Sequence, residues 1–560
     1  MSSDPGPSPA DASVERGALD EALALTAEAE ALLAAGQIDE AVRIATRVGD
    51  FGLDLERTWR VLAAACDAQG DLPAALAAYD QLLATATDRD QISGPMGRVA
   101  LRLGDYAKAE RLLKAHIRGL GAAPQAIADL AAAQTGLQTF DRAHATLKAA
   151  LEADPAQPLL WAALGRLLSV EGRHAHAVIF FEEGLRLDPG SADARAGLAD
   201  ALLLSDGEVD RALSLSAEAV AAAASNDRPT VNDDHARRLL GSGRLAEGWA
   251  ALATEMIPPA ADIRVAAPPW RPDMPLDGPL LVIGEENVIH EVLLAQVIPD
   301  LIAEGRPLIL AVSPRWEVLA RRSFPQAAVV PLLRRSGGGR RRVAARLDSP
   351  HMHGGKLLAA WRTLRSTLPD HRARPADFAN PAPYLVADKD RVRHWRDWLS
   401  GLGPGPKIGV RWRQPLADVT RPYEIPSLPE LQRPLSVPGL HLISLQEGEV
   451  MGEAEWIEGA LGLKVHEPAW LDRDGLDDLA ALACALDVVV GPPGATTYVA
   501  AACGAETWFL STPGHWAMLG SDSYPWFPAS RVILSDSADW TEAMEELGQS
   551  LYALAHPSAD

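Results

Sequence analysis

The chain has 560 residues, of which 48% are hydrophobic and 23% charged, and its formal net charge at pH 7 is -23. This length exceeds what one ordinary hydrophobic core organises, so two to four domains are expected. The acidic balance argues against a nucleic acid as the main partner, because a phosphate-binding surface needs clustered positive charge.

The sequence shows none of the usual signs of secretion or membrane insertion. Its first twenty residues carry acids, Pro and Ser instead of a basic stretch followed by an apolar run, and nowhere do eighteen apolar residues follow one another. The three cysteines, Cys66, Cys484 and Cys503, are odd in number and far apart in the chain. We therefore expect a cytoplasmic protein without a membrane span, a disulfide framework or a zinc site.

Residues 1–18 are expected to be disordered. After them, a short sequence pattern recurs at a fixed spacing through residues 19–222. A small or polar residue is followed five positions later by Ala, and the first residues are 34, 34, 34, 34 and 35 positions apart. A fixed period of this length predicts stacked helix–turn–helix units, whereas a generic Ala-rich bundle has no reason to keep it. The pairs are Gly36 with Ala41, Gly70 with Ala75, Gly104 with Ala109, Gln138 with Ala143, Gly172 with Ala177, and Gly207 with Ala212.

These units resemble the tetratricopeptide repeat. In the fifth unit Trp161 and Gly165 lie on the first helix, Phe181 lies on the second, and Pro189 ends it. The resemblance implies an α-solenoid that presents a concave surface to a polypeptide and performs no chemistry itself. A looser seventh unit is predicted at 243–249, within a degenerate repeat and linker over 223–270.

From residue 271 onwards short apolar strands alternate with helices. This alternation predicts parallel sheets that are covered on both faces, in an N-terminal Rossmann-like domain over 271–400 and a C-terminal one over 401–560. A ligand is expected in the cleft between the two sheets, beyond the carboxyl ends of the strands. The predicted strands are 280–283, 307–312, 407–412, 440–445, 486–491 and 507–510.

Five segments of the C-terminal domain carry a further resemblance, and they are residues 409–413, 443–448, 487–504, 516–520 and 524–528. They resemble the second half of bacterial glycosyltransferases of the two-Rossmann (GT-B) type. Together with the repeats, they make the chain similar to bacterial tetratricopeptide-repeat/GT-B fusions, which are related to heptosyltransferases and O-GlcNAc transferase. Within this class it is similar to the soluble flagellin glycosyltransferases of alphaproteobacteria. The resemblance implies an enzyme that docks a polypeptide, such as flagellin, and transfers a sugar, such as a nonulosonic acid, from a nucleotide donor to Ser or Thr.

The residues predicted to hold the donor follow the strands of the C-terminal domain. The loop 494–497 precedes a helix, whose free N–H groups and positive dipole end suit a phosphate, although simple N-capping by Thr496 is the alternative. Arg411 and Arg413 share one face of a strand end, where they would neutralise a leaving phosphate or lie as ordinary surface residues. The full predicted donor-binding set is Arg411, Arg413, Gln446, Gly448, Gly494, Thr496, Thr497, His515 and Asp522.

A general base is predicted in the loop after the first strand of the N-terminal domain. In the resembled family this loop is rich in Gly and carries a carboxylate, but here residues 284–291 read GEENVIHE. His290 stands where the carboxylate is expected, so we predict His290, with Glu291 beside it, as the catalytic pair. The missing glycines leave a non-catalytic, protein-binding adaptor as an alternative. A transferase of lipopolysaccharide assembly is a third possibility, which would explain the cleft but gives the repeats no role.

No metal or cofactor is expected besides the nucleotide-sugar substrate. His351 and His353 alternate without an acidic companion, which is a weak metal signal and favours a polar loop.

Overall fold

The computed structural model describes residues 9–49, 56–86, 88–205, 207–223, 228–253, 265, 267–271, 274, 277–285, 287–335, 342–345, 352–353, 356–378, 383–413, 425–447, 452–468, 471, 475–536 and 539–557. Of the residues singled out above, Gly448 and His351 lie outside these ranges. The chain divides into two units, one comprising the described residues up to Leu167 and the other most of those from Leu168 onwards.

In the described residues before 254, every element of regular secondary structure is an α-helix. They are α1 (Pro9–Ala34), α2 (Ile38–Gly49), α3 (Glu56–Gln69), α4 (Leu72–Thr85), α5 (Arg89–Arg102), α6 (Tyr106–Leu120), α7 (Pro124–Gly136), α8 (Phe140–Ala153), α9 (Pro158–Val170), α10 (His174–Leu187), α11 (Ala192–Leu204), α12 (Val209–Ala222), α13 (Arg228–Gly241) and α14 (Leu245–Ala253). Residues 9–18 were expected to be disordered, and this is corrected: they lie in α1, because Pro9 fits the first helical position and helix-forming residues follow it.

The recurring signature has a direct conformational cause. Its first residue lies in the turn between two paired helices with φ between +56° and +83°, a left-handed conformation that Gly adopts without a steric penalty. Gln138, the one exception to Gly, has φ 56°. The Ala five positions later is fully buried in all six units, since its small side chain lets the paired helices approach closely. The predicted helix–turn–helix repeats are therefore confirmed.

The predicted seventh unit corresponds to the pair of α13 and α14. Gly243 has φ 77° at its turn, and a Cβ atom at position 248 would lie 2.6 Å from Leu240 Cγ. This pair differs from the others in what it packs against. Trp249 of α14 is fully buried, donates from Nε1 to the carbonyl oxygen of Arg372 at 2.7 Å, and meets Trp526 edge to face with ring centroids 6.0 Å apart.

The remainder of the chain is of the α/β class. Its strands are β1 (Leu280–Ile283), β2 (Leu308–Val312), β3 (Ala328–Arg335), β4 (Arg342–Ala345), β5 (Met352–His353), β6 (Lys356–Leu357), β7 (Ala360–Thr363), β8 (Lys407–Val410), β9 (His441–Ser444), β10 (Val465–His466), β11 (Val488–Gly491), β12 (Thr507–Ser511) and β13 (Arg531–Leu534). Its α-helices are α15 (Val288–Leu294), α16 (Ile298–Ala303), α17 (Glu317–Ser323), α18 (Leu368–His371), α19 (Lys389–Ser400), α20 (Leu428–Leu435), α21 (Glu453–Leu461), α22 (Leu476–Ala483), α23 (Ala495–Ala502) and α24 (Thr541–Ala555).

The strands form two main sheets, as the alternation of strands and helices predicts. The N-terminal sheet has the order β4-β3-β2-β1-β7, and β3, β2, β1 and β7 are parallel. The C-terminal sheet has the order β10-β9-β8-β11-β12-β13, with parallel pairing throughout. Its first strand, β8, thus lies between β9 and β11, and this is the order of a doubly wound sheet. One hydrophobic core joins α13 and α14 to both sheets.

Candidate functional site

The strand order of each sheet marks one point at its carboxyl edge where a ligand would bind. There, neighbouring strands lead into connections that run in opposite directions, which opens a crevice. In the C-terminal sheet this point lies between β8 and β11, and in the N-terminal sheet between β1 and β7. Because α15 packs against α23, the loops that follow β1 and β11 lie at the same edge.

Arg411 occupies the crevice between β8 and β11. Its side chain is fully buried, and Nη1 donates to the carbonyl oxygens of Pro492 and Pro493 at 3.3 and 3.4 Å. A Cβ atom at position 494 would lie 2.6 Å from Arg411 Cζ, so Gly494 is required for this contact. Arg411 and Gly494, both in the predicted donor-binding set, are therefore neighbours, and the guanidinium donates to the loop itself.

Glu447 fills the N-terminal end of α23, where a phosphate was expected. Its Oε1 accepts hydrogen bonds from Thr496 N at 3.0 Å and from Thr496 Oγ1 at 2.7 Å, and lies 3.5 Å from Arg411 Nε. Thr497 Oγ1 meanwhile accepts from Gly494 N at 3.0 Å, which makes Thr497 part of the helix cap. The anion that this end of the helix favours is therefore supplied by the chain itself.

Gln446 and Arg413 are likewise engaged within the chain. The Gln446 amide oxygen accepts from the backbone N–H groups of Trp412 and Arg413 at 3.2 and 3.0 Å, and its Nε2 donates to the carbonyl oxygen of Arg413. This arrangement ties together the segments that follow β8 and β9. The Arg413 side chain donates from Nε to Glu453 at 3.1 Å and lines a cleft together with Trp412 and Trp456. The donor-binding role of these residues stays a prediction.

Glu291, predicted beside the base, is a fully buried residue at the carboxyl edge of the N-terminal sheet. Its Oε1 accepts from Ser313 N and from Trp316 Nε1, both at 2.9 Å. Any side chain at position 284 would collide with this carboxylate, which explains why Gly284 is the one glycine of the loop that remains. Glu291 thus links the segment after β1 to the segment after β2, which is a structural role and differs from the predicted catalytic one.

A chain of ion pairs connects the crevice between β1 and β7 to the last repeat. Glu285, 3% exposed, accepts from Arg365 N at 3.0 Å and from Arg365 Nε at 2.7 Å. Arg365 Nη1 lies 3.3 Å from Asp233 of α13, and Asp233 accepts from Arg237 Nη2 at 2.7 Å. The last repeat therefore supplies charged groups to the strand-end edge.

His290 faces this charged group at one wall of a small pocket. The pocket is lined by Asp233, Arg237, Trp249, Leu252, His290, Leu294, Arg365 and Trp516. His290 is a half-buried residue, and its ring meets Trp516 edge to face, with centroids 5.4 Å apart. Burial lowers the pKa of His290 to about 3, and repulsion by nearby cationic groups, Arg237 first among them, adds to this effect, while Asp233 opposes it. The imidazole is neutral at pH 7, as a base requires, but it is a weak base.

His515 and Asp522 lie in the loop after β12, and their positions differ. His515 Nδ1 accepts from Ala517 N at 3.3 Å and lies 3.2 Å from Tyr524 Oη, so this ring caps its own loop. Asp522 is exposed. The backbone of the same loop contacts the turn of the last repeat, since a Cβ atom at position 520 would lie 2.6 Å from Gly243 Cα. The structure thus brings His290, Trp516 and His515 together and leaves Asp522 at the surface.

Four charged residues near the two crevices were not predicted from the sequence, and they are Glu447, Arg365, Asp233 and Arg237. Glu447 directly follows Gln446 after a strand that was predicted, so its position at the edge was accessible from the sequence. Arg365 was not, because β7 was not predicted, and neither were Asp233 and Arg237, whose helix belongs to a repeat.

Two absences hold for the described residues. They contain no group of three or more His, Cys, Asp or Glu residues suited to a metal ion. Within the same ranges, every helix is too short or too polar to cross a lipid bilayer.

Comparison with known proteins adds a relative for most of the chain. No protein-family model matches the sequence. A tetratricopeptide repeat protein from Parabacteroides merdae superposes on 38% of this chain and 82% of its own length, with 16% identity and a TM-score of 0.35. The tetratricopeptide protein TTC0263 of Thermus thermophilus superposes on 33% of this chain and all of its own, with 21% identity and a TM-score of 0.30. Protein FlbA of Caulobacter vibrioides is 30% identical over 505 residues, which covers 88% of this chain and 83% of that protein. The chain belongs to the FlbA family.

Proposed function

We propose that the protein docks a polypeptide on its helical repeats and transfers a sugar from a nucleotide donor to a Ser or Thr of that polypeptide. The two α/β sheets form the GT-B module of this enzyme, with the transfer at their common strand-end edge. Flagellin as the acceptor and a nonulosonic acid as the sugar are the choices that the sequence resemblance implies. His290 is the proposed base, and the loop 494–497 is the proposed donor site.

The convergence of the two crevices is the observation that supports this proposal. Ligands of doubly wound sheets bind where the strand order reverses, and here the loops after β1, β7, β8 and β11 meet at one edge. The last repeat contributes Asp233 and Arg237 to the same edge. The last repeat, α13 and α14, therefore borders the proposed transfer site.

Donor binding requires one rearrangement in this proposal. The phosphate would take the place of the Glu447 carboxylate at Thr496 N and Oγ1, because both anions need the same donors. Glu447 would then have to move to solvent or to a hydroxyl of the donor. Substituting Glu447 by Gln removes the competing charge, so this variant is expected to bind the nucleotide more tightly than the native protein does.

A second candidate, the non-catalytic adaptor, is favoured by the same carboxylate. Glu447 already accepts from Thr496 and pairs with Arg411 without a ligand, and His290 is a weak base. In this alternative the α/β unit is a stable platform that presents the last repeat, and the bound polypeptide leaves unmodified.

Sugar transfer by the full-length protein tests the two candidates. The protein is incubated with its native flagellin and a panel of nucleotide sugars, and the flagellin mass is measured. We expect a mass increase equal to one or more sugars, its loss in His290→Ala, and its retention in the control His441→Ala, since His441 begins β9 at the opposite edge of the sheet.

Three other outcomes would each change the assignment. Transfer that survives in His290→Ala rejects this base. Absence of nucleotide binding in isothermal titration calorimetry, combined with retained capture of the polypeptide, selects the adaptor. If mass spectrometry of captured proteins finds partners other than flagellin, the transfer assay is repeated with those proteins as acceptors.

A further inference from the structure

Two of the three cysteines, distant in the chain, come together in the fold. Cys484 directly follows the last residue of α22, and Cys503 directly follows the last residue of α23. These two helices pack against each other, and the two thiols share a hydrogen bond. Both residues are partly exposed. Their separation of 19 positions in the chain is therefore bridged by the packing of the two helices.

The surroundings make the two thiols unequal. The Cys503 thiol donates the shared hydrogen bond, which lowers the pKa of Cys484 and raises that of Cys503 well above its usual value. Arg396, whose Nη2 lies 3.5 Å from the carbonyl oxygen of Cys484, lowers the pKa of Cys484 further, although burial opposes this. A thiol near a cation with a thiol donor beside it has the setting of a reactive cysteine.

Cys66 is the internal contrast. It is 3% exposed on α3, and burial raises its pKa to about 11. A buried thiol of this kind reacts slowly with oxidants and alkylating agents in the folded protein.

We propose that Cys484 and Cys503 are a site of reversible oxidation, at which a peroxide converts the two thiols into a disulfide. The Cys484 thiolate attacks one peroxide oxygen, the O–O bond breaks, and a sulfenic acid forms while the released hydroxide leaves as water after protonation. The Cys503 sulfur then attacks the Cys484 sulfur. The S–S bond forms, the S–O bond breaks, and the hydroxyl leaves with the Cys503 proton as a second water. Two thiols lose two electrons in total, and one peroxide is reduced to two waters.

The disulfide would join the end of α22 to the end of α23. Since α23 begins at the Gly494 loop, oxidation constrains the helix that carries the Thr496 cap. This inference is independent of sugar transfer, because it needs neither a donor nor an acceptor.

The experiment oxidises the reduced full-length protein with hydrogen peroxide, blocks the remaining thiols under denaturing conditions, and maps the peptides by mass spectrometry. We expect a linked pair of peptides containing Cys484 and Cys503, lighter by two hydrogens and released by dithiothreitol, and free Cys66. In the native reduced protein, iodoacetamide should modify Cys484 about tenfold faster than Cys66, or more. The matched control Cys66→Ser should form the same linked pair.

Single substitutions distinguish the two roles. Cys503→Ser should accumulate a sulfenic acid at Cys484 that dimedone traps, whereas Cys484→Ser should leave Cys503 free. The proposal is overturned if both thiols stay free after peroxide treatment, or if dimedone traps a stable sulfenic acid at Cys484 of the native protein. It is equally overturned if Cys66 enters the disulfide.

Discussion

The two crevices of the α/β unit share one design and differ in what surrounds it. Each lies at the carboxyl edge of a parallel sheet, and each is filled by an Arg paired with a Glu: Arg411 with Glu447, and Arg365 with Glu285. Arg411 is fully buried beneath a Gly loop, whereas the Arg365 side chain is 23% exposed and reaches Asp233 of the last repeat. The C-terminal crevice is therefore closed by its own loop, while the N-terminal crevice is completed by another part of the chain.

This difference predicts unequal costs for removing the two arginines. Arg411→Ala leaves the buried Glu447 carboxylate without its cation, and a buried charge that loses its partner destabilises a protein by about 3–5 kcal/mol. Arg365→Ala should cost less, because water reaches this pair. The urea midpoint of unfolding measures the loss, and hydrogen exchange in 488–511 locates it.

Arg413→Ala is the matched control for Arg411→Ala. Arg413 is two residues further along the same segment, but its pair with Glu453 is about one-third exposed, so its loss should cost about 1 kcal/mol or less. Equal losses for Arg411→Ala and Arg365→Ala would contradict the distinction between a closed and an open crevice.

The second-largest loss of stability is expected where the turn of the last repeat contacts the loop after β12. At Gly520 a methyl group would meet Gly243 Cα at 2.6 Å, and the residue has φ 77°. Gly520→Ala therefore combines overpacking with a left-handed conformation, and we expect a loss of about 2–4 kcal/mol in thermal or urea unfolding.

Gly514→Ala separates the two contributions. Gly514 lies in the same loop with φ 75°, but no atom lies within 4 Å of the position that its Cβ would take. Only the conformational penalty of about 1–2 kcal/mol applies there. Similar losses for the two variants would show that the turn after α13 does not constrain this loop.

The Thr496 hydroxyl measures how strongly the C-terminal cap depends on Glu447. Thr496→Val keeps the shape of the side chain and the backbone N–H bond, but removes the 2.7 Å hydrogen bond to the carboxylate. A hydrogen bond to a charged group contributes about 1.5–3 kcal/mol, so unfolding should become easier by about 2 kcal/mol. Thr496→Ser retains the hydroxyl and should stay close to the native stability. An unchanged stability in Thr496→Val would mean that the backbone N–H of residue 496 and Arg411 hold Glu447 without help from the hydroxyl.

The repeats and the edge also differ in how well the sequence predicts them. Each repeat depends on local rules, a left-handed turn at Gly172 and a buried Ala177 on the next helix, and both are visible in the spacing. The strands β1, β8 and β11 were predicted within a few residues for the same reason, because a short apolar run has a local signature.

Contacts between charged residues that are distant in the chain have no such local signature. The sequence suggested that Arg411 and Thr496 share an edge, but not that Glu447 lies between them, since a carboxylate after a strand is equally compatible with solvent. Asp233 belongs to a repeat, and its distance to Arg365 depends on how α13 packs on the sheets. Spacing within the chain identifies the edge, whereas the pairing of charges at the edge is a property of the tertiary structure.

The smallest effect concerns the pH dependence of the N-terminal edge. The folded protein holds the pKa of His290 near 3, below the value of about 6.5 in an unfolded chain. The unfolded state thus binds a proton first as the pH falls, so the contribution of His290 to stability is complete above pH 6.5 and decreases towards pH 3. The loss is at most about 1.4 kcal/mol per pH unit, and less where water reaches the ring. Unfolding midpoints between pH 7 and 5 should fall less steeply in His290→Asn than in the native protein.

Arg237→Gln probes the same edge without touching the ring. Arg237 is among the groups that lower the pKa of His290, and its pair with Asp233 is partly exposed, so stability at pH 7 should change by less than about 1 kcal/mol. The His290 pKa should nevertheless rise, which a titration followed by imidazole NMR signals detects. Arg244→Gln, whose pair with Asp210 of α12 is exposed, should leave that pKa unchanged. If Arg237→Gln also leaves the His290 pKa unchanged, the last repeat does not affect the electrostatics of the crevice between β1 and β7. The two crevices would then differ less than their surroundings indicate.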